Sequence, residues 1–309
     1  MNSSIIVLVG PTGIGKSKVA VALSTFFPSE IVSADSMQVY KYMNIGTAKP
    51  SREDRRAVPH HMIDIVHPDQ YFSAGEYSKM AREKINRIVE LGKTPIVVGG
   101  SGLYIRALVD GLFSEPVISN TIKKRVKTQL DNKGSDYLHR KLKKIDSVAA
   151  SKIHPNDWRR IIRALEVFLS TGETISSLQS KAKADSIDCQ HLIIGLKTER
   201  SNLYERIDSR VDSMFKKGLV KEVRQLIKRG YIQDLLPMHS LGYKEVFRYI
   251  NGDYGIDEAK AIIKKNTRHF AKRQMTWFNK DFRIKWIETG DADMETDLIC
   301  HKILRLTEL

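Results

Sequence analysis

The 309-residue sequence holds two cysteines, Cys189 and Cys300, far apart and outside any Cys-x-x-Cys spacing. That scarcity excludes a disulfide framework and a cysteine-built structural zinc site, and both residues read as buried thiols. No apolar run approaches the ~18 residues that cross a bilayer. Neither a basic n-region nor a small-residue cleavage site precedes the first apolar run at Ile5. No signal or transit peptide is therefore visible, and the expected compartment is the cytoplasm, with no membrane partner. Internal repeats and low-complexity stretches are also missing. What remains is an ordinary globular composition, 41% hydrophobic and 28% charged, in a chain long enough to bury a substantial core.

Acidic residues are the other shortage. Lys and Arg number 51 against 36 Asp and Glu, a net charge of +15. An excess of this size fits a polyanionic partner, and it also occurs in basic proteins without one, so its placement matters. Residues 116–185 hold fifteen Lys/Arg and seven Asp/Glu, and residues 257–285 hold nine and three. Those two segments carry nearly all of the imbalance.

The most specific local signal is Gly10-Pro11-Thr12-Gly13-Ile14-Gly15-Lys16-Ser17, directly after the apolar run 5–9. It fits G-x-x-x-x-G-K-[ST], in which a buried strand turns through glycines into a helix and backbone N–H groups converge on an anionic oxygen cluster. Gly10, Gly13 and Gly15 permit positive φ and close approach of a ligand. Lys16 adds a point charge, and the Ser17 hydroxyl is a candidate ligand for Mg²⁺. The motif specifies a di- or triphosphate without saying which.

Along the first hundred residues, apolar strands alternate with helical patterns, as a parallel α/β sheet requires. Strands are expected at 5–9, 30–34 and 94–98. A helix follows the glycine loop, and Ser73-Ala74-Gly75-Glu76 is a capping box for a helix ending at Gly92. All three strands end in polar or glycine-rich loops, where such sheets bind ligands. From 116 to 185 strand signals vanish, which predicts a helical insertion in a core formed by 1–115 and 186–309. Its helix over 156–172 turns Ile161, Leu165 and Phe168/Leu169 inward. Arg159, Arg160 and Arg163 crowd its first two turns, against the helix dipole. The face reads either as solvated or as functional. After a last strand at 191–196 the pattern is helical to the end, over 201–217, 219–229 and 257–279. In the final helix Ile263, Thr267, Phe270, Gln274 and Trp277 read as the packing side. Lys264, Lys265, Arg268, His269, Lys272 and Arg273 form a positive side.

An ordinary P-loop NTPase places an acid at the end of a second apolar strand. Here the strand at 94–98 ends in Gly99-Gly100, which weakens ATPase and GTPase readings. The acid that does follow a strand is Asp35, in Asp35-Ser36-Met37-Gln38-Val39-Tyr40. It is a candidate metal contact, general base or simple turn residue.

These segments resemble an ordered series: the glycine loop, the Asp35–Tyr40 run, Ile45-Gly46-Thr47-Ala48-Lys49-Pro50, Pro59-His60-His61-Met62-Ile63-Asp64, Val98-Gly99-Gly100-Ser101-Gly102-Leu103-Tyr104, Ile153-His154-Pro155-Asn156-Asp157, Leu241-Gly242-Tyr243-Lys244-Glu245 and Ala271-Lys272-Arg273-Gln274-Met275-Thr276-Trp277. In that order, over nearly the whole chain, the sequence is similar to the bacterial tRNA dimethylallyltransferase family. The resemblance implies a P-loop NTPase-like parallel sheet with a helical insertion that grips the tRNA anticodon stem-loop. It implies transfer of a dimethylallyl group from dimethylallyl diphosphate to N6 of the adenosine 3′-adjacent to the anticodon, with Mg²⁺ and release of pyrophosphate, by a monomer.

By the same resemblance Gly10 to Ser17 bind the diphosphate, with Arg210 or Arg206 assisting. Lys16 and Mg²⁺ at Ser17 offset leaving-group charge, and Asp35 accepts the amine proton. Contact with tRNA is implied for Asp35, Ser36, Met37, Gln38, Ser101, Lys123 and the stretch Arg159, Arg160, Ile161, Ile162 and Arg163. Gly13-Ile14 stands where the family usually has Ala-Ser, and Ser101 stands where Thr is usual. Lys123 stands where Arg can occur, and His239 occupies a variable position. None of these removes a catalytic group. Three alternatives stay open: a P-loop kinase with Asp35 as base, a transferase acting on free AMP or ATP, and an RNA-binding protein with a relic phosphate site.

Overall fold

The computed structural model describes residues 5–111, 116, 118–181, 190–290 and 295–307. Its strands are β1 (Ile5–Val9), β2 (Ser29–Ser33), β3 (His60–His61), β4 (Thr94–Gly99), β5 (His191–Lys197) and β6 (Lys285–Glu288). They pair in parallel in the order β3-β2-β4-β1-β5-β6. Five consecutive buried residues in β1 leave no polar face, so the strand belongs in the middle of a covered sheet. There Ile6 sits opposite Ile96 on one side and Leu192 on the other.

Helices α1 (Lys16–Leu23), α2 (Arg52–Ala57), α3 (Ala74–Glu90) and α4 (Gly102–Val109) alternate with the first four strands. The Ser73 capping box at the start of α3 is formed, with Glu76 N donating to Ser73 Oγ and Ser73 N to Glu76 Oε2. Next come α5 (Asn120–Ile145), α6 (Ser147–Lys152), α7 (Trp158–Thr171) and α8 (Ile175–Lys181). The chain closes with α9 (Arg200–Lys216), α10 (Leu219–Lys228), α11 (Tyr243–Ile250), α12 (Ile256–Phe278) and α13 (Glu295–Thr307). Among the described residues no helix is long and apolar enough to cross a membrane.

The expectation of helix alone after residue 196 is corrected by β6. This edge strand has four residues, of which only Ile287 is buried, too few to display alternation. Trp286 settles beside Gly195, where its ring would collide with any Cβ. Cys300 is the buried thiol expected, its pKa raised to about 11 by burial and by Asp297. Cys189 lies outside the described residues.

The chain forms two compact units, 1–105 with 188–309, and 106–187. The anticipated boundaries stood at 115/116 and 185/186, and residues 115, 185 and 186 lie outside the described set. The core of the first unit joins Ile6, Leu8, Ile96 and Leu196 of the sheet to Leu23, Ile207 and Ile303 of the surrounding helices. The second unit has its own core of Val126, Leu138, Leu142, Ala150, Ile161 and Leu165. Within it α5 is broken at Gly134, whose φ of 77° and ψ of 172° are not helical.

Candidate active site

At the C-terminal ends of β1, β2 and β4 the three loops singled out by sequence come together. Gly10, Gly13 and Gly15 all take positive φ. A Cβ at Gly10 would lie 2.7 Å from the Leu196 carbonyl oxygen, so only glycine lets the chain leave β1 this close to β5. Gly15 is the N-cap of α1, with φ 97° and no side-chain cap. A glycine there provides no oxygen for the first-turn amides, which is the arrangement that receives an anion.

Two adjoining cavities open on these loops. The smaller, about 240 Å³, is lined by Thr12, Gly13, Gly15, Lys16 and Ser17 of the glycine loop, and by Gln38. The larger, about 470 Å³, is lined by Ser36, Met37 and Ser101, with Val211, Met214 and Ile263 as apolar wall. Thr12, Asp35, Arg210, Phe270 and Gln274 line both.

Three members of the glycine loop have structural tasks besides the backbone anion contact anticipated for them. Ile14 is buried in the sheet core, where a branched apolar side chain packs, so its side chain is a plug. Gly10 and Pro11 do not line either cavity. Their carbonyls accept hydrogen bonds from Lys16 Nζ at 3.0 and 2.8 Å. Burial, with Arg210 adding to it, brings the Lys16 pKa down to about 7, while Asp35 pulls it up. Arg210 is likewise lowered by burial and supported by Asp35. Arg210 and Asp35 thus share the junction of the cavities, with Lys16 on the smaller one. Arg206, the other candidate, donates instead to Gly290 O and, at 3.5 Å, to Thr289 Oγ1, and it lines neither cavity.

Asp35 Oδ1 accepts from Met37 N at 2.8 Å. The turn role and the site role therefore coincide, because the turn fixes the rotation of a carboxylate that faces both cavities. Ser101 Oγ accepts from Ser36 N at 2.9 Å and donates to Ser36 Oγ at 3.2 Å, tying the β4 loop to the β2 loop. Gln38 is engaged within the protein: its Oε1 accepts from Ser33 Oγ at 2.9 Å, and its Nε2 donates to Thr47 O at 3.3 Å. That satisfied amide shapes the wall of the smaller cavity.

Gln274 carries more than the packing role read from its helical spacing. Its Oε1 accepts from Thr12 N at 2.8 Å and its Nε2 donates to Gly100 O at 2.9 Å, bridging the glycine loop to the β4 loop. Phe270, also expected in the core, lines both cavities, and Trp277 is 37% exposed beside Gly102. The positive side of α12 is smaller than its sequence suggests. Lys264 pairs with Asp212 at 2.8 Å and Arg268 with Asp208 at 3.0 Å, leaving Lys265, His269, Lys272 and Arg273 exposed. The signal for Gln274 was the segment 271–277 itself; nothing local revealed its partners.

Ser17 is exposed at the smaller cavity. Among the described residues no three His, Cys, Asp or Glu side chains cluster as a metal cage would require. Mg²⁺ needs none, since it retains waters and binds through one or two protein oxygens plus substrate phosphates. The Ser17 hydroxyl beside Lys16 fits that pattern.

The remaining anticipated RNA contacts lie on the second unit. Lys123, Arg159 and Arg160 are exposed. Asp157 caps α7 by accepting from Arg160 N at 3.3 Å and pairs with the Arg160 side chain at 3.4 Å. An acid at the N-cap offsets the unfavourable placement of cations in the first turn. Burial raises the Glu166 pKa, opposed by Arg163 and Lys123, so these two cations flank one carboxyl. Ile161 is wholly buried, so its side chain is core rather than an RNA contact, and Ile162 packs partly buried against the same core. Trp158, which no sequence pattern singles out, is 40% exposed with Lys127 Nζ and the Arg159 guanidinium 5.5 and 5.1 Å from its ring.

Comparison with known proteins gives this geometry a lineage. Residues 38–281 match the family model described as IPP transferase. A tRNA dimethylallyltransferase of Carboxydothermus hydrogenoformans is 47% identical over 96% of this chain and 95% of its own length. A protein of Geotalea uraniireducens named tRNA dimethylallyltransferase 2 is 50% identical over 93% of each chain. Among solved structures, a full-length tRNA isopentenylpyrophosphate transferase from Bacillus halodurans superposes with a TM-score of 0.72 at 37% identity, covering 98% of this chain and 96% of its own. A eukaryotic dimethylallyltransferase described as acting on tRNA superposes with a TM-score of 0.83 at 26% identity, covering 99% and 79%. With a glycine-loop cradle, a neighbouring aspartate and relatives matched end to end, the chain belongs to the IPP transferase family, that of the bacterial tRNA dimethylallyltransferases.

Proposed function

We propose that this chain transfers the dimethylallyl group of dimethylallyl diphosphate to N6 of the adenosine 3′-adjacent to a tRNA anticodon, releasing pyrophosphate. The observation that carries the reading is the junction of the two cavities, where Thr12, Asp35 and Arg210 line both. One cavity offers amides and cations for a diphosphate. The other offers a carboxylate, hydroxyls and an apolar wall for the prenyl chain and a splayed-out purine.

In this reading the diphosphate lies on the backbone of Thr12 to Ser17, with Lys16 and Arg210 offsetting charge as the allylic C–O bond breaks. Lys16 leaves the Gly10 and Pro11 carbonyls to do so. Mg²⁺ held at Ser17 supplies further stabilisation of the diphosphate when bound. The N6 lone pair forms the new bond to the allylic carbon, and Asp35 takes the N6 proton. An exocyclic aromatic amine is a weak nucleophile, so a hydrogen-bonded carboxylate assists it. Arg159, Arg160, Arg163 and Lys123 meet RNA phosphates, setting affinity and its salt dependence. The chain works as a monomer in the cytoplasm.

The test is incubation with Mg²⁺, dimethylallyl diphosphate and unmodified tRNA, followed by nucleoside mass spectrometry. One C5H8 unit on the adenosine 3′ of the anticodon is the expected product. Its absence, or phosphate transfer from ATP in its place, overturns the reading.

A further inference from the structure

Glu222, in the first turn of α10, is a buried carboxylate outside every motif that faces the cavities. Its oxygens accept from three successive backbone amides, Asn44 N at 2.9 Å, Ile45 N at 2.8 Å and Gly46 N at 3.2 Å. A fourth donor, the Tyr243 hydroxyl, lies at 2.6 Å. Consecutive amides turned to one side form an anion nest, and here the protein's own carboxylate fills it. Tyr243 is fully buried, and its ring lies so close to Gly46 that any side chain there would collide with it. Burial and the neighbouring Glu222 hold the phenol well above its usual pKa, so it remains a donor.

Both partners of this contact wall the site. Gly46 and Thr47 line the larger cavity, as do Leu241 and Gly242 immediately before Tyr243. Ala48 and Lys49 line the smaller. The Thr47 and Ala48 carbonyls accept from Gln38 Nε2 at 3.3 and 3.4 Å, which carries the clamp into the loop bearing Asp35. A carboxylate taken out of water is retained only where donors replace its hydration, and removing one donor leaves a charge underpaid in hydrogen bonds.

We propose that Glu222 and Tyr243 are positioning residues that lock the 44–48 loop to the 241–243 segment and so set the spacing of the larger cavity around the purine beside Asp35. This rests on the functional reading above. Neither residue touches substrate; both act through the walls they join.

The test compares wild type, Tyr243→Phe and Glu222→Gln in the full-length chain by hydrogen–deuterium exchange, pyrophosphate binding and steady-state kinetics with tRNA. In Tyr243→Phe, exchange over 44–48 rises about 10-fold or more, the size set by losing one hydrogen bond to a charged acceptor. The kcat with tRNA falls about 3- to 10-fold, by the sensitivity of rate to misplacement, while the pyrophosphate Kd stays within about twofold. Glu222→Gln shifts the same readouts further in the same directions. If Glu222→Gln fails to fold, Tyr243→Phe alone decides, because it keeps the ring and removes one oxygen.

Unchanged exchange over 44–48 overturns the proposal. So does faster exchange with wild-type kcat and KM for tRNA, or an equal loss of pyrophosphate affinity, which would mark a global defect. If wild type adds no prenyl group to tRNA, the functional reading fails, and exchange at 44–48 with pyrophosphate binding still scores the clamp.

Discussion

The two units hold charge in opposite ways. In the first, Lys16 lies on two carbonyls, Glu222 is ringed by four donors, and Lys264 and Arg268 are paired with acids of α9, so these charges are committed within the protein while Lys265, His269, Lys272 and Arg273 stay exposed. In the second, Lys123, Arg159 and Arg160 stand in solvent on a helical body rich in cations. Charge held by fixed partners keeps a fixed geometry, which suits bond breaking. Solvated charge releases counterions when it meets a polyanion, which suits affinity without fixed placement. Single substitutions should therefore cost turnover steeply in one unit and binding gradually in the other.

The largest expected effect is Asp35→Asn, which should lower kcat at least ~10²-fold by loss of the general base. Its tRNA affinity should stay near wild type in a filter-binding assay. A change confined to KM would mean that Asp35 serves only its turn with Met37.

Next in size is Lys16. Its pKa of about 7 makes it cationic below neutrality and increasingly neutral above. A diphosphate favours the charged form, so binding takes up a proton at higher pH, and affinity falls by up to about tenfold per pH unit above 7 for one linked proton. Calorimetry of pyrophosphate binding in buffers of different ionisation enthalpy would detect that uptake at pH 8. Its absence would mean that Lys16 is charged throughout. Lys16→Met should remove the Lys16 share of the proton uptake along with most of the affinity.

Gln274→Met, which removes both hydrogen bonds that bridge Thr12 and Gly100, should lower kcat/KM about 10-fold, in line with a small displacement of reacting groups. Equal kcat/KM in the variant and wild type would reduce Gln274 to packing. The smallest effect belongs to the second unit. Arg159→Ala should flatten the slope of log K against log[salt] for tRNA by about 0.7 to 0.9 for one phosphate contact, and leave kcat at saturating tRNA unchanged. An unchanged slope would make Arg159 part of a merely solvated face.

Most of the site was legible because its parts are short and contiguous. Glycine spacing, a lysine and a serine define the cradle within eight residues, and Asp35 announces itself by following a strand. The fold was legible where strands are long and buried, as in β1 and β4. It was not legible in β6, whose four edge residues bury one side chain. Long-range partnership was also hidden. Helical spacing gave Gln274 an inward direction, which it has, but not the two backbone groups that occupy its amide. Arg206 and Arg210 are one turn apart on α9, and their sequence does not tell that Arg206 is engaged by the segment after β6 while Arg210 faces the cavities. In the second unit the helical period was the better guide, since it turned Ile161 inward, as found, whereas the stretch carried over from the resemblance counted it among the RNA contacts.

The most direct measurement is a crystal structure of the chain with a non-reactive diphosphate analogue of the prenyl donor and an anticodon stem-loop. The diphosphate should lie on the amides of Thr12 to Ser17 beside Lys16 and Arg210, with the adenine N6 within about 2.6 to 3.2 Å of an Asp35 oxygen. A diphosphate bound elsewhere, or an N6 beyond the reach of Asp35, would contradict it.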